Sequence, residues 1–137
     1  MARAQTVFLN RADVPARKAL QEALDGLGFK LTLDDGYTPF KTAGYLPCTL
    51  DGEDAGFDIR FQDVAADLAP ALKSGIGSRD VAIALRWSGD PREQLAALGV
   101  SAALAQKFGA VVHEPDSTDL LSFDQLMAKA RKAEAAL

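Results

Sequence analysis

Apolar and polar positions along this chain change period several times, and each change marks an element. Thr6-Val7-Phe8-Leu9 is a short apolar run that predicts a buried strand. Asp13 before Val14-Pro15 reads as an N-cap with proline in the first helical turn. Leu20, Leu24 and Leu27 follow at helical spacing, with Ala16, Ala19 and Ala23 beside them, until Gly26 and Gly28 end the helix. Phe29, Leu31 and Leu33 then alternate with Lys30, Thr32 and Asp34, the period of a half-buried strand. A connection over 34–44, rich in Gly, Pro and Thr, carries Tyr37 and Phe40. Tyr45 to Leu50 reads as one strand, at a sheet edge because it contains Pro47. After a turn over 51–56, Phe57, Ile59 and Phe61 alternate with Asp58, Arg60 and Gln62, so the two runs predict a hairpin.

A short helix over Asp63–Lys73 is expected on Val64, Leu68 and Leu72, weakened by Pro70, with a linker over 74–78. Val81, Ile83, Leu85 and Trp87 alternate with smaller or polar residues, a further strand. Asp90-Pro91 with Glu93 marks a capped helix whose apolar side holds Leu95, Leu98, Ala102, Leu104 and Phe108. Ala110-Val111-Val112 is a strand, and Ser122 with Gln125 is a capping box that opens a helix on Leu126, Met127, Ala130 and Leu137. The order β-α-β, hairpin and short helix, β-α-β, helix predicts an α+β fold. Two βαβ halves would form a ferredoxin-like (split βαβ) sandwich with an inserted β-hairpin and a C-terminal helix. Right-handed crossovers would put both long helices on one face of the sheet. The alternative is an α+β meander with the hairpin strands at its centre.

Composition bounds these elements to one domain over residues 1–137. Apolar residues make up 48% of the 137, but 25 are alanine, which leaves large side chains for one two-layer core and too few for two. The net charge of −4 and the absence of a strong Lys/Arg cluster argue against nucleic acid, since Glu134 dilutes Lys129, Arg131 and Lys132. No apolar run is long enough for a membrane helix, and Met1–Leu9 carries no export signal. With Cys48 as the single cysteine, the cytoplasm is the expected compartment.

The candidate chemistry is sparse. His113-Glu114-Pro115-Asp116 lacks the second histidine of a helical zinc motif, so no metal site is expected. Cys48 and His113 form a conceivable nucleophile and base, with Asp116 or Asp119 orienting the ring, but nothing around Cys48 resembles an activating environment. A small buried hydrophobe is the plainer reading of the thiol. Gly75-x-Gly77 follows a helix and opens a strand, the reverse of a dinucleotide loop, so no cofactor is expected. Phe57 and Phe61 share a face with Ile59 and read as core rather than as base-stacking rings.

The middle of the chain holds the strongest signal. From 51 to 67 there are six carboxylates (Asp51, Glu53, Asp54, Asp58, Asp63, Asp67) against Arg60 alone. Aromatics beside carboxylates suit docking onto a basic protein surface, so Tyr37, Phe40, Tyr45, Asp51, Glu53 and Asp54 are the expected binding residues. The plain alternative is a solvated hairpin tip and a loop packed by its own rings.

Two stretches also carry a resemblance. They are Gly44-Tyr45-Leu46-Pro47 with Ala55-Gly56-Phe57-Asp58, and Ala102-Ala103-Leu104-Ala105 leading through Gly109–Asp116 to Leu120-Leu121-Ser122. Over residues 44–130 the chain resembles small uncharacterised bacterial cytoplasmic proteins, some of them similar to immunity proteins of toxin systems. That resemblance implies an immunity-type inhibitor and brings no catalytic residue with it; together with the acidic, aromatic middle of the chain the expectation is a non-enzymatic protein-binding module for a basic partner. Two alternatives stand beside it: a small-molecule-binding sensor domain acting as a homodimer, and a small hydrolase using Cys48 and His113.

Overall fold

Strand β1 (Ala4–Leu9) lies inside a six-stranded sheet, between β7 (Val81–Arg86) and β8 (Val111–His113). The remaining strands are β6 (Phe57–Asp63) and β3 (Gly44–Leu46) beyond β7, and β9 (Leu120–Leu121) beyond β8. Every neighbouring pair is antiparallel. A second antiparallel sheet has the order β2 (Leu31–Leu33), β4 (Cys48–Leu50), β5 (Glu53–Asp54). The helices are α1 (Arg17–Gly26), α2 (Pro70–Ile76), α3 (Pro91–Lys107) and α4 (Phe123–Ala135). This computed structural model describes residues 3–115, 117 and 119–137. Among them the architecture is α+β, with four α-helices and two antiparallel sheets, neither closed into a barrel. The hairpin-derived strands β3 and β6 lie toward one edge, which removes the meander with a central hairpin.

Period-two alternation sorts the large sheet into two faces. Val7, Leu9, Ile59, Ile83, Leu85 and Val112 are buried beneath the helices. Helix α3 sits at the centre and is buried on all sides from Leu95 to Leu104, where the sequence predicted a single apolar side. It packs against both α1 and α4, so α4 extends the helical layer. Such encirclement requires small residues, and Ala96, Ala97, Gly99, Ala102 and Ala103 supply them. A Cβ on Gly99 would come within 2.6 Å of Leu31 Cδ1, so glycine is what lets β2 approach the helix.

The buried polar pair Gln5 and Ser101 joins β1 to α3. The Gln5 amide donates to Ser101 Oγ, which donates in turn to the Ala97 carbonyl at 2.9 Å. Ser101→Ala would leave the Gln5 amide without its acceptor in the core, and an expected loss of about 1–3 kcal/mol follows. Urea denaturation would measure it, and the double variant Gln5→Leu/Ser101→Ala should cost less than the two single changes added together.

Several sequence expectations are corrected. Helix α1 begins at Arg17, because Val14 precedes Pro15 and is held extended at ψ 117°. Asp13 therefore ends a 3-10 turn over Arg11–Asp13, and the N-cap of α1 is Ala16. The strand expected over Tyr45–Leu50 is two strands, split at Pro47, which has no N–H to offer a ladder. One half, β3, pairs with β6, while the other, β4, pairs with β2 and β5 in the smaller sheet. Pro70 starts α2 at its first turn instead of interrupting a helix, and β6 runs on to Asp63. The caps read at Asp90 and Ser122 are present: Asp90 accepts from Arg92 N at 2.9 Å, and Ser122 forms a full capping box with Gln125. Glu93 instead accepts from Ser88 N at 2.9 Å.

Candidate functional site

The connection from β2 to β3 is ordered by its own polar groups. Asp34 Oδ2 accepts from Gly36 N at 2.9 Å, and Thr42 Oγ1 accepts from Thr38 N at 2.7 Å. Asp34 N also donates to the Pro47 carbonyl at 3.1 Å, which ties the loop to the break between β3 and β4. The turn from β4 to β5 is Asp51-Gly52, with φ of 52° and 84°. Two left-handed residues in a two-residue loop suit the right-handed twist of a hairpin, and Asp-Gly is a favoured pair for it.

The six residues expected to bind a partner are not all at the surface. Tyr37 is only 5% exposed and belongs to the core, packed on Phe61 at 6.3 Å between ring centroids. Its expected contact with a partner is corrected accordingly. Phe40, at φ 67°, is held between the Arg11 guanidinium, 4.3 Å from its ring centre, and Phe61 at 5.3 Å. Asp51 pairs with Lys30 at 3.8 Å and Glu53 with Arg92 at 2.7 Å. Asp58 and Asp63 are likewise matched, by Arg60 at 3.2 Å and Arg11 at 3.5 Å. Four of the six carboxylates from 51 to 67 thus meet cations, three of them brought from remote parts of the chain. Such exposed pairs add little stability, but they cancel much of the negative field that the composition suggested.

Tyr45 and Asp54 remain available. Tyr45 is 63% exposed, and its ring lies over Gly56, where a Cβ would collide with it. Partial burial of the hydroxyl, then the nearby charges of Asp54 and Glu93, hold the Tyr45 pKa above 10.0. Asp54 joins two residues the sequence reading did not single out, Asp34 and Asp35, around an open depression of about 270 Å³ floored by Pro47, Cys48 and Thr49. On the other side of Pro47 a second depression of about 350 Å³ is lined by Asp34, Thr38, Lys41 and Tyr45. Asp35 pairs with Arg17 at 3.4 Å, while Asp34 and Asp54 have no ion-pair partner among the described residues. The only sequence signal for Asp34 and Asp35 was their place at the start of the long connection. Their convergence with Asp54 depends on the return of the chain through Pro47. Three carboxylates in a recess beside an exposed aromatic ring can receive an ammonium or guanidinium group.

The remaining candidates do not assemble. Cys48 is buried in the small sheet, and burial, with the charge of Asp34 behind it, pushes its thiol up to about 12. His113 lies on the six-stranded sheet with Nε2 against the Ser117 carbonyl, and no hydrogen bond joins it to Cys48. Asp116 lies outside the described residues. Among the described residues no group of three or more His, Cys, Asp or Glu is arranged to hold a metal ion, and no helix is long and apolar enough to cross a membrane. No family model, curated protein or solved structure matches this chain.

Burial of two neutral acids gives the protein an alkaline limit. Burial raises Tyr37 from 10.0 to about 12, as it does Cys48 from 9.0. The unfolded chain releases these protons first, so stability is unaffected below about pH 9 and falls as pH rises toward 12. The slope approaches roughly 1.4 kcal/mol per pH unit for each group. Melting temperatures taken from pH 8 to 11 would trace it, and Cys48→Ala should remove the part that begins near pH 9. In the native state the thiol should react with a disulfide reagent only as fast as the protein opens.

Proposed function

We propose that this chain is a protein-binding α+β domain that captures a basic side chain of its partner, in the manner of an immunity-type inhibitor. The observation that supports it is the convergence of Asp34, Asp35 and Asp54 around one recess with exposed Tyr45 beside it. Carboxylates steer a cationic surface toward the recess, and the ring supplies an anchor that is already immobilised on Gly56. The resemblance over residues 44–130 to small bacterial proteins, some of which look like immunity proteins, points the same way, and a cytoplasmic location belongs to this reading. A ferredoxin-like, split βαβ core is part of the proposal too. The order β6-β7-β1-β8, antiparallel throughout, with α1 packed on α3, supports it.

The experiment is capture from lysate of the source cells, at low and moderate salt, with the wild-type chain and with Tyr45→Ala. A stoichiometric, salt-sensitive protein partner that Tyr45→Ala loses is the expected result. A partner retained equally by the variant would move the interface elsewhere.

A further inference from the structure

Among the described residues, the face of the large sheet opposite α1 and α3 is covered only at one end. Leu72 and Ile76 of α2 pack there on Phe8 and Ala82. Beyond α2 the face is floored by short side chains, Ala84 of β7 beside Thr6 of β1, with Arg60 of β6 across from Ala84. Two depressions follow one another along this floor. The first, of about 360 Å³, lies against α2 and is lined chiefly by Phe8, Leu68, Leu72 and Ala82, with Thr6 and His113 at its side. The second, of about 410 Å³, is lined by Asp58, Arg60, Gln62, Ala84 and Arg86. Gln62 borders both, and Thr6 of the first pairs with Ala84 of the second, so the two adjoin along the sheet as a trough with a chiefly apolar end and a basic end.

We propose that this trough binds a small amphipathic carboxylate, with its apolar body against α2 and its anion between Arg60 and Arg86. The charges match a single anion. Arg60 is held by Asp58 at 3.2 Å, and Arg86 has no ion-pair partner among the described residues, so the basic end carries one net positive charge. At the apolar end Asp63 is paired with Arg11 at 3.5 Å, and the His113 Nε2 is engaged by the Ser117 carbonyl. The length matches as well: Ala82 to Arg86 spans about 14 Å at roughly 3.4 Å per residue, close to an extended ten-carbon acid. Sheet neighbours cannot fill the trough themselves, because alanine at 82 and 84 ends at Cβ. Guanidinium groups suit a carboxylate through paired N–H donors.

Decanoate is the probe, titrated into the full chain and followed by two-dimensional amide NMR, with 1-decanol as the neutral counterpart. The expected result is saturable binding with the largest shifts at residues 60, 62, 72 and 82–86, and decanol at least roughly tenfold weaker. Arg60→Ala/Arg86→Ala should weaken decanoate at least roughly tenfold without moving the melting temperature, since both side chains are exposed. Ala84→Phe, which leaves both arginines in place and fills the floor, should abolish binding. Equal affinity for decanol and decanoate, indifference to both variants, or a sheet face closed by a second copy in solution would each overturn the proposal. None of these variants touches Asp34, Asp35 or Asp54, so failure here leaves the partner-binding proposal to its own test.

Discussion

Replacing Tyr37 with alanine is expected to lower the unfolding free energy by about 3–5 kcal/mol, the range for deleting a buried aromatic ring. At roughly 3–4 °C per kcal/mol for a domain of this size, the melting temperature should fall by about 9–20 °C. Tyr37 is 5% exposed and its ring packs on Phe61, so truncation opens a cavity under the loop and removes a neighbour from β6. Its hydroxyl lies 3.4 Å from the Pro15 carbonyl, a long hydrogen bond. Tyr37→Phe should therefore cost about 1 kcal/mol at most, and it should also flatten the alkaline limb of the stability curve above pH 10. Tyr45→Ala is the contrast: at 63% exposed, it should change stability by no more than about 0.5 kcal/mol. Thermal melts of the three variants side by side decide the matter. Equal melting temperatures for Tyr37→Ala and Tyr45→Ala would mean that Tyr37 is a surface residue after all.

Reversing two charges at the recess, Asp35→Lys with Asp54→Lys, is expected to slow association with the captured partner by roughly tenfold or more and to flatten its dependence on salt. Both carboxylates stand at the surface, and fully exposed Asp35 loses one pair at 3.4 Å with half-buried Arg17, which keeps its hydrogen bonds to the Leu33 and Asp34 carbonyls, so the fold should tolerate the change. Asp34 is left intact because its carboxylate also caps the Gly36 amide. Tyr45→Ala acts differently. Losing a buried aromatic anchor typically costs about 2 kcal/mol or more, near thirtyfold in affinity, and the loss falls mainly on dissociation. Gly56→Ala should reproduce part of that effect without removing the ring, since a Cβ there pushes Tyr45 off its seat. Binding kinetics at two salt concentrations separate the two contributions. Unchanged association rates for the double reversal would exclude the recess as the contact point for a basic surface.

The sequence alone determined what depends on neighbours a few positions apart. Periods of two and 3.6 located most of the strands and the long helices, because burial of one face repeats along a single element. The caps at Asp90 and Ser122 were legible for a similar reason: each satisfies backbone groups within two or three residues. The turn expected over 51–56 is shorter than that, Asp51-Gly52 alone, because Glu53–Asp54 returns as β5 along β4. Even the misplaced start of α1 had a local cause, the restriction that Pro15 imposes on Val14.

Only the tertiary structure decided which surfaces meet. A proline in a run of apolar residues marks an edge equally well whether the run is one strand or two, and nothing local says that Pro47 divides two sheets. Tyr37 and Tyr45 look alike in a polar loop, yet one is sealed under Phe61 and the other stands on Gly56. A count of carboxylates from 51 to 67 could not anticipate that Lys30, Arg92 and Arg11 would answer three of them, nor that Asp34 and Asp35 would join Asp54. Each of these outcomes rests on contacts between residues far apart in the chain. Such contacts form only when packing of α3 against sheet and helices has fixed where each element lies, and no short-range pattern records that choice.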